Sequence, residues 1–539
     1  MFKRIITFFL LFSILTACVP ATPRPVPVPP TGTTSATSTL ATPALPWWRE
    51  AVFYEIFVRS FYDTNADGIG DFNGITAKLD YLGELGITAI WLMPINPSPS
   101  YHGYDVTNFY AVNPEYGSMD DFKRLLSEAH ARGIRIIMDL VLNHTSSQHP
   151  FFVDANNNPQ SPYRDYYVWS ESDPGNAWHK GNHGYYFGLF CDCMPDLNYR
   201  NPDVTAQMEN VVRFWLEDVG VDGFRVDAAK HLIEEGPVRE NTPATHAWYK
   251  DNFYPTYKAL NPNAYAVGEV YGAGANMVKL YTGNQLDQIF NFEMSSGFVN
   301  SAAGMSKTGI DSAIIFSLKD MPDFNFATFL TNHDQNRVMS VLNLKVDKAK
   351  VAATLLLTSP GTPFIYYGEE IGMLGKKPDE DIRLPMQWSA QANAGFTAGS
   401  PWRSPEANYP QVNVAAQTGD PASLLSHYRA LIALRSAHPA LRYSNIYLVD
   451  TNKSAIYAAL RIENGDTILV LVNLGDAPLS DYTLTISKSP LGAGEYTLTA
   501  LMGTVAPATL SVDANGGFAK ETPLPQLAPF GTYILQVKK

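Results

Sequence analysis

Residues 223–231 read Gly-Phe-Arg-Val-Asp-Ala-Ala-Lys-His and combine a short apolar strand with a charged pair. The strand is predicted to cover Gly223–Val226. Arg225 and Asp227 are two positions apart, so on a strand their side chains point to the same side. A guanidinium favours the ionised form of a neighbouring carboxyl, and an ionised carboxylate at the carboxyl end of a parallel strand can act as a nucleophile. The alternative is a structural ion pair, which is the more frequent role for such a pair taken alone.

Apolar strands and amphipathic helices alternate on both sides of this stretch. Besides Gly223–Val226, strands are predicted at residues 52–58, 89–95, 134–142, 265–270, 288–292, 326–331 and 363–367. Helices are predicted between them, at residues 74–86, 119–132, 204–219 and 246–260, and a last one at 423–437. Eight strands separated by helical segments predict an α/β fold, a parallel (β/α)8 TIM barrel.

Two segments depart from this alternation. Residues 145–195 are rich in Asn, Pro, Asp, Tyr and Gly and are too long for a simple loop, so we expect a subdomain inserted after the third strand. Residues 439–539 change to alternating apolar residues with turns, which predicts a C-terminal all-β sandwich domain. The barrel would then comprise residues 47–144 and 196–438.

The N-terminus has the pattern of an exported protein. Residues 1–17 carry a short basic start and an apolar run too short to span a bilayer, which predicts a signal peptide. The tetrapeptide Leu15-Thr16-Ala17-Cys18 resembles the bacterial lipobox, and this resemblance implies lipidation of Cys18 and an exported, membrane-anchored protein that faces the cell surface or the periplasm. Residues 18–46 are rich in Pro, Thr and Ser and would form the tether. The alternative is ordinary cleavage near Ala17.

Composition limits the partners. The chain has 539 residues and a net charge of −13, which argues against nucleic acid as a partner. Cys191 and Cys193 are the two cysteines outside the leader. A disulfide between residues two apart is rare, and no second Cys/His pair at zinc spacing accompanies them. We therefore expect that the mature domains rely on no disulfide, and that the protein is a monomer.

Four of the predicted strands end in residues suited to chemistry. These are Asp139, Asn143 and His144 after the third strand, Arg225 and Asp227 at the fourth, Glu269 at the fifth, and His333 and Asp334 after the seventh. In a parallel barrel these ends converge on one mouth. Such a set suits glycoside hydrolysis, in which one carboxylate attacks the anomeric carbon and another, held protonated, protonates the leaving oxygen.

Taken in order, these segments resemble the motifs of the α-amylase family, glycoside hydrolase family thirteen. The matching segments are Asp139-Leu-Val-Leu-Asn143-His144, Gly223-Phe-Arg-Val-Asp227, Glu269 and Asn332-His333-Asp334. Flanking signatures match as well: residues 81–95, Met194-Pro-Asp-Leu-Asn198 and Gly368-Glu-Glu-Ile-Gly372. The resemblance extends from Trp47 to the C-terminus.

The resemblance assigns roles to individual residues. Asp227 is similar to the family's nucleophile, Glu269 to its general acid/base and Asp334 to its transition-state stabiliser. Arg225 resembles the residue that orients the nucleophile. The remaining substrate contacts that it implies are Tyr104, Asp105, His144 and His333, with Tyr104 as the stacking platform. Because the family retains anomeric configuration, the carboxyls of Asp227 and Glu269 are expected ~5 Å apart.

Residues 63–71 predict a calcium site. Asp63, Asn65, Asp67, Ile69 and Asp71 offer an oxygen at every second position, Ile69 through its main-chain carbonyl, and hard cations prefer such oxygen ligands. The segment also resembles a calcium loop of the family, and its role would be structural. The alternative is a turn built from Asx side chains. Asn143 resembles a ligand of a second calcium ion between the barrel and the inserted subdomain.

The specificity signals are mixed. Lys230 and His231 resemble the contact to leaving-side sugars in enzymes that act on polymeric α-1,4-glucan, which favours retaining hydrolysis of starch, glycogen or maltooligosaccharides. The segment Arg383-Leu-Pro-Met-Gln-Trp388 looks closer to oligo-1,6-glucosidases and neopullulanases, where Arg383 would touch the substrate. An α-glucosidase, a neopullulanase-like enzyme and a 4-α-glucanotransferase stay open as alternatives. Outside enzymes, the alternative is a surface glucan-binding protein.

Overall fold

Eight parallel strands form a closed barrel in the computed structural model, which describes residues 45–504 and 508–539. The strands are, in chain order, Phe53–Ile56, Ala89–Leu92, Arg135–Leu140, Gly223–Val226, Tyr265–Gly268, Gln288–Phe290, Phe326–Thr328 and Thr362–Tyr366. Each strand pairs with its neighbours in sequence, and the eighth pairs with the first. The prediction of a (β/α)8 barrel is confirmed.

Aromatic and aliphatic side chains fill the barrel interior, so it is a packed core rather than a pore. At one level the rings of Phe53 and Phe364 stack with their centroids 4.2 Å apart. Nearer the carboxyl ends, Trp91 lies below the guanidinium of Arg225, 5.1 Å from ring centroid to Cζ. The apolar interior therefore ends in an indole that forms the floor beneath the first charged side chain.

The strands are shorter than predicted at their carboxyl ends. The third ends at Leu140 rather than at residue 142, and the seventh at Thr328 rather than at residue 331. The chain there leaves the hydrogen-bonded ladder although its residues stay buried. These extra apolar residues carry the polar side chains that follow them toward the barrel mouth.

Helices surround the barrel. The α-helices are Trp47–Glu50, Phe72–Ala77, Leu79–Leu85, Met119–Ala131, Pro150–Asn157, Pro202–Arg213, Pro243–Trp248, Tyr254–Leu260, Ala275–Val278, Phe292–Gly304, Thr308–Asp320, Val338–Val341, Val346–Thr358, Asp379–Ile382, Val414–Gln417 and Leu424–Ala437. Two helices predicted as continuous contain π-helical turns, Phe214–Val219 and Tyr249–Phe253. The predicted helix over residues 74–86 is divided at Lys78, whose ψ of 4° breaks the α-helical ladder.

The segment after the third strand folds as a small antiparallel unit. It contains the helix Pro150–Asn157 and three strands, Trp169–Ser170, Trp178–Gly181 and Gly184–Phe187, with the last of these in the middle. A β-bridge between His144 and Asp196 joins its two ends. The inserted unit is therefore anchored where the chain leaves and re-enters the barrel.

One expectation about this segment is wrong. Cys191 and Cys193 form a disulfide, with their Cα atoms 5.2 Å apart. This separation lies within the ordinary range for disulfides, because the chain turns at Asp192 and brings the two side chains together. The mature protein thus contains a disulfide, and its sulfurs are bonded to each other rather than free as metal ligands.

The C-terminal region is a two-sheet β domain. Six antiparallel strands form one sheet, in the spatial order Asn445–Leu448, Ile456–Glu463, Asp466–Asn473, Thr532–Lys538, Gly494–Met502 and Ala508–Val512. Asp450–Thr451, Leu484–Ile486 and Phe518–Glu521 form the other sheet. The sheets enclose an apolar core of their own.

One strand of the larger sheet, Ile456–Glu463, is buried on both faces over most of its length. Along Ile456–Glu463, Ile456, Ala458 and Leu460 belong to the core of the β domain, whereas Tyr457 and Ala459 belong to the barrel core. This division follows the two-residue period of a strand. The strand consequently appears as a continuous apolar run although it lies in an antiparallel sheet.

Buried polar side chains also join the two domains. Arg435, on the last barrel helix, donates to the carbonyls of Leu357, Ser359 and Leu441. Arg461 of the β domain donates to the carbonyl of Thr358. Both guanidiniums are fully buried, and their Nη groups donate to main-chain oxygens rather than to carboxylates, so they hold the end of a barrel helix against the C-terminal sheet.

The predicted signal peptide, the lipidation site Cys18 and all of the tether except residues 45 and 46 lie outside the described residues. Across residues 45–504 and 508–539, no helix has the length and apolar character needed to span a bilayer. Membrane attachment through Cys18 stays a prediction from the sequence.

Candidate active site

The carboxyl ends of the barrel strands open into a cavity of about 470 Å³. All three predicted catalytic carboxylates, Asp227, Glu269 and Asp334, line it. The other lining residues are His102, Tyr104, His144, Phe190, Cys191, Cys193, Met194, Ala228, Lys230, His231, Tyr271, Asp379 and Arg383. The barrel register explains this meeting, because Arg225 pairs with Asp139 on one side and Val267 on the other.

Arg225 holds the carboxylates from below the cavity. Its Nη1 lies 2.6 Å from Oδ1 of Asp227 and 2.9 Å from Oδ1 of Asp139, and its Nη2 lies 2.7 Å from Oε2 of Glu269. The guanidinium is fully buried. One planar cation thus fixes three carboxyl groups, and it makes Asp227 and Glu269 neighbours. Their expected separation of ~5 Å stays a prediction.

Burial and charge act in opposite directions on these acids. Burial raises the pKa of Asp227 and the pKa of Glu269, while Arg225 opposes the shift in both. For Asp227 the sequence predicted only the effect of the arginine, not the opposing effect of burial on the pKa. Burial also raises the pKa of Asp139 to about 7, against the same arginine. Glu269, whose pKa stays elevated although its Oε2 accepts from the Ala228 N–H at 3.2 Å, suits a group that must deliver a proton.

Asp334 behaves differently. Burial would raise its pKa, but the charges of His333, Arg383 and Arg225 outweigh burial and hold the pKa below its usual value. Arg383 Nη2 lies 3.0 Å from Oδ1 of Asp334, and its Nε donates to the carbonyl of His333. A carboxyl group kept ionised beside the reacting centre suits stabilisation of positive charge in a transition state.

His333 lies behind the cavity wall rather than in it. Its Nδ1 is 2.6 Å from Oε1 of Glu55 and its Nε2 is 2.6 Å from the hydroxyl of Tyr104. Burial lowers the pKa of His333, but the charges of Asp334 and Glu55 outweigh burial and raise it. Both ring nitrogens are occupied in this conformation, so a bond to a substrate hydroxyl would require one of these contacts to open.

Tyr104 and His144 face the cavity. The Tyr104 hydroxyl lies 3.1 Å from Oδ2 of Asp139, and its ring lies nearly parallel to that of His333. His144 Nε2 is 3.2 Å from the main-chain oxygen of Tyr104, and burial lowers the pKa of His144 to about 4, which keeps it neutral. Asp105 is not among the described residues that line the cavity. It is buried and accepts a hydrogen bond from Ser98 at 2.5 Å.

Lys230 and His231 lie on the rim near Glu269. Lys230 Nζ is 2.5 Å from Oε2 of Glu240, and His231 Nδ1 lies 3.0 Å from the carbonyl oxygen of Arg239. Burial lowers the pKa of His231, so its ring is favoured in the neutral form. Both side chains remain in contact with the cavity, where they can reach a molecule bound next to Glu269.

The sequence analysis missed several residues of this site. Glu55 gave a usable signal, since it is the only acid in an otherwise apolar predicted strand. Phe190 and Tyr271 gave no such signal in the sequence, because both lie in irregular segments whose residues show no helical or strand periodicity. Both are exposed at the mouth, by 48% and 59% respectively, and offer aromatic surface to a ligand. Asp379 also lines the cavity, and its Oδ2 lies 3.2 Å from Nη2 of Arg383.

The predicted calcium loop at residues 63–71 is tightly folded. Asp63 Oδ1 accepts from the N–H groups of Asn65 and Ala66, and Asp71 Oδ1 accepts from the N–H of Gly74. The Asn65 side chain accepts from the Asp67 N–H, and the Asp67 side chain from the Ile69 N–H. The loop therefore contains the Asx turns of the alternative interpretation, and these turns hold its oxygens in place.

The oxygens of this loop are of the kind that a calcium ion binds. Asp63 and Asp71 are buried, and among the described residues neither forms an ion pair with a lysine or arginine. The four lone-pair sites of Asp63 are already taken by the N–H groups of Asn65, Ala66 and Gly68 and by the Thr397 hydroxyl. In the described part of the chain, the three carboxylates do not converge within 4.8 Å of one another. A divalent cation would supply the missing positive charge to an all-oxygen donor set.

Asn143 belongs to a second group of unsatisfied oxygens. Asn143 Oδ1, Asp196 Oδ2 and Glu234 Oε1 are all buried without a hydrogen-bond partner in the described structure. Burial raises the pKa of Asp196 strongly, and the nearby charge of Glu234 adds to the shift. Buried oxygens without donors are costly. A cation bound between the barrel and the inserted unit would satisfy them, and the donor set fits Ca²⁺.

The arrangement provides the groups for a double displacement at an acetal carbon. Asp227 can attack and form a covalent ester, while Glu269 protonates the departing oxygen and later removes a proton from the incoming water. Asp334 can stabilise the positive charge that develops between these steps. Each proton and bond is accounted for by these carboxyl groups and water, and the chemistry needs no redox partner.

Comparison with known proteins agrees with this geometry. The family model described as alpha amylase, catalytic domain, matches residues 55–444. Alpha-amylase 3 of Dictyoglomus thermophilum is 44% identical over 439 residues, covering 80% of this chain and 85% of that protein. An oligo-1,6-glucosidase of Parageobacillus thermoglucosidasius is 34% identical over 514 residues, covering 80% and 91%. The crystal structure of an α-amylase from H. orenii superposes with a TM-score of 0.79 at 36% identity, covering 91% of this chain and 99% of that one.

Proposed function

The chain belongs to the α-amylase family of glycoside hydrolases, and from this premise we propose that it is an α-amylase, which hydrolyses α-1,4-glucosidic bonds in starch, glycogen or maltooligosaccharides with retention of configuration. The carboxylates carry the chemistry common to the family. The choice of substrate depends on the residues around them.

The observation that carries the proposal is the position of Lys230 and His231. Both line the cavity beside Glu269, the proposed proton donor to the leaving sugar. This Lys-His pair resembles the leaving-side contact of enzymes that act on polymeric α-1,4-glucan. Phe190 and Tyr271 add exposed aromatic surface on the same cavity, and ligand sites combine such apolar faces with a few polar groups.

The product profile on soluble starch tests this proposal. We expect the purified protein to release a range of maltooligosaccharides, since an open cavity admits the polymer chain on both sides of the bond. Chromatography of the products at early times is the measurement. Glucose as the sole product would indicate an exo-acting α-glucosidase, and products longer than a defined oligosaccharide substrate would indicate a glucanotransferase.

A second candidate is cleavage of α-1,6 bonds in short oligosaccharides. The resemblance of Arg383 and its following residues to oligo-1,6-glucosidases and neopullulanases favours it, as does the identity to the Parageobacillus enzyme of that name. Faster turnover of isomaltotriose than of maltotriose would select this candidate. A glucan-binding protein without activity is disfavoured, because all three carboxylates line one cavity.

We also propose that the protein binds calcium, with Asp63, Asn65, Asp67, Ile69 and Asp71 as one set of ligands. Asn143 would contribute to a second site, together with Asp196 and Glu234. The ion would neutralise buried carboxylates that lack cationic partners and would act on stability rather than on bond cleavage. The support for this proposal is the donor chemistry of the two sets and the buried oxygens of the second.

Removal of calcium is expected to lower the melting temperature by about 3–8 °C. A ligand at 100 to 1,000 times its Kd stabilises the native state by about 3–4 kcal/mol per site, and for a chain of this length each kcal/mol moves the melting temperature by about 1 °C. Thermal unfolding in calcium and in EGTA measures the shift, and metal analysis measures the bound ion. The Asp67→Ala variant should respond less to EGTA, while Asp120→Ala, an exposed control, should respond fully. Equal melting temperatures and no bound calcium would contradict the proposal.

A further inference from the structure

A second cleft, of about 350 Å³, lies next to the catalytic cavity. Its walls come from the helix Phe292–Gly304, which follows the sixth strand, and from the loop after the seventh strand. The polar residues that line it are Ser295, Ser296, Asn300, Thr331, Asp334, Gln335, Asn336 and Lys377. Its volume falls within the range of small-molecule sites.

The two spaces meet at the stabilising carboxylate. Asp334 lines both the catalytic cavity and the second cleft. An ion pair joins Lys377, which lines the cleft, to Asp379, which lines the cavity. A linear molecule that extends from the catalytic cavity past Asp334 would enter this cleft.

The chemistry of the cleft favours an uncharged, hydroxyl-rich ligand. Within the described residues, the side chains of Ser296, Asn300 and Gln335 make no hydrogen bond, and Gln335 Oε1 is buried without a partner. The charged groups are already paired, Lys377 with Asp379 and Asp334 with Arg383. Val299 and Val341 supply apolar surface. Neutral donors and acceptors beside small apolar faces match a sugar ring better than an anion or a lipid.

We propose that this cleft is an additional saccharide subsite, which binds glucose units of the same glucan outside the catalytic cavity. The proposal rests on the proposed α-glucan substrate and deepens it, because it predicts a preference for longer chains. A buried amide oxygen without a donor is costly when the cleft is empty. A sugar hydroxyl would remove that cost, so the subsite contributes binding free energy that short substrates lack.

Blocking the cleft tests the proposal. The Asn300→Trp variant places a large ring in the cleft from an exposed helical position, and Lys319→Trp adds the same bulk on the neighbouring helix Thr308–Asp320, outside both spaces. We expect Asn300→Trp to raise the ratio of the KM for maltoheptaose to the KM for maltotriose about tenfold, and Lys319→Trp to leave it unchanged. The size follows from the loss of two or three hydrogen bonds.

A binding measurement separates the loss of binding in the cleft from an effect of the substitution on the catalytic steps. Maltoheptaose is titrated into the inactive Glu269→Gln variant and into the Glu269→Gln, Asn300→Trp double variant, and calorimetry gives the Kd. A tenfold weaker Kd in the double variant supports the subsite, and an unchanged Kd and KM ratio overturns it. If the wild type cleaves no α-1,4-glucan at all, the proposed function fails. If it cleaves them and Asn300→Trp matches Lys319→Trp, only the subsite fails.

Discussion

Asp227→Asn is expected to lower kcat on soluble starch by a factor of about 10⁴ to 10⁶, the range found when a catalytic nucleophile is removed. The amide has the same shape and can keep an oxygen 2.6 Å from Arg225 Nη1, so the cavity should retain its form. The amide cannot form the covalent ester. Without that intermediate, Glu269 cannot act first as the acid for the leaving group and then as the base for water. Release of reducing ends measures the loss, and thermal unfolding checks that the variant is folded.

Asp222→Asn is the matched control for this substitution. Asp222 is also buried, immediately before the same strand, but at the opposite end of the barrel. There it bonds Arg135 Nη1 at 2.8 Å and the Ile136 N–H at 2.8 Å. We expect this variant to lose stability while the folded fraction keeps its turnover within a few-fold. Substantial activity in Asp227→Asn would remove Asp227 from the role of nucleophile.

Arg225→Met is expected to abolish activity and to lower the free energy of unfolding by about 3–5 kcal/mol at neutral pH, the usual result of leaving buried charges without their partner. Asp139, Asp227 and Glu269 all contact this guanidinium. Without it, their carboxyl groups would lie close together in a buried site. Denaturant unfolding of the variant and the wild type gives the difference.

The pH dependence of this loss has a definite sign. Burial already raises the pKa of all three acids, that of Asp139 to about 7, and removal of the cation raises them further. A group whose pKa is higher in the folded state loses stability as the pH rises through that pKa. The destabilisation should therefore be small near pH 5 and large near pH 8. An equal loss at both pH values would mean that the carboxyl groups are not the cause.

Arg225→Lys serves as the comparison. A lysine keeps one positive charge but cannot reach three carboxyl groups with a planar fork. We expect it to recover part of the stability at pH 8 and little of the activity, because Asp227 and Glu269 would no longer be fixed by the same group. Full recovery of turnover would show that charge alone, and not the geometry of the fork, is needed here.

Two of the three candidate catalytic carboxylates could be predicted from the sequence because each directly follows a short apolar strand. Asp227 and Glu269 end strands whose pattern is unambiguous, and the convergence of parallel strands then brings them to one mouth. The prediction needed no knowledge of side-chain contacts. The same reasoning placed Asp334, although it lies six residues after the last residue of its strand.

Partners that are distant in the chain could not be found this way. Glu55 bonds His333 across 278 positions, and periodicity carries no information about such pairs. Asp105, to which the family resemblance assigned a substrate contact, accepts a hydrogen bond from Ser98 and does not line the described cavity, so that contact stays a prediction. Adjacent residues of an irregular loop face different ways, and only the fold decides which.

The disulfide was missed for a related reason. Spacing alone argues against a bond between Cys191 and Cys193, and the outcome depends on how the chain turns at Asp192. The divided helix at Lys78 and the π-helical turns are also tertiary effects, because the apolar faces of these helices are continuous in sequence. Local sequence patterns identify a helix, but packing against neighbouring elements determines where its hydrogen-bond pattern is interrupted or becomes π-helical.

The two-faced C-terminal sheet bears on how this protein could be re-engineered. Tyr457 and Ala459 complete the barrel's own core, and Arg435 bonds Leu441, a residue beyond the last barrel helix. A catalytic fragment that ends at residue 438 would thus expose an apolar surface. It would also leave the buried guanidinium of Arg435 without one of its acceptors, the Leu441 carbonyl. The C-terminal β domain is therefore part of the structural core of the barrel. Chimeras designed to exchange substrate preference should place their crossover within the inserted unit and keep the boundary between the barrel and the β domain unchanged.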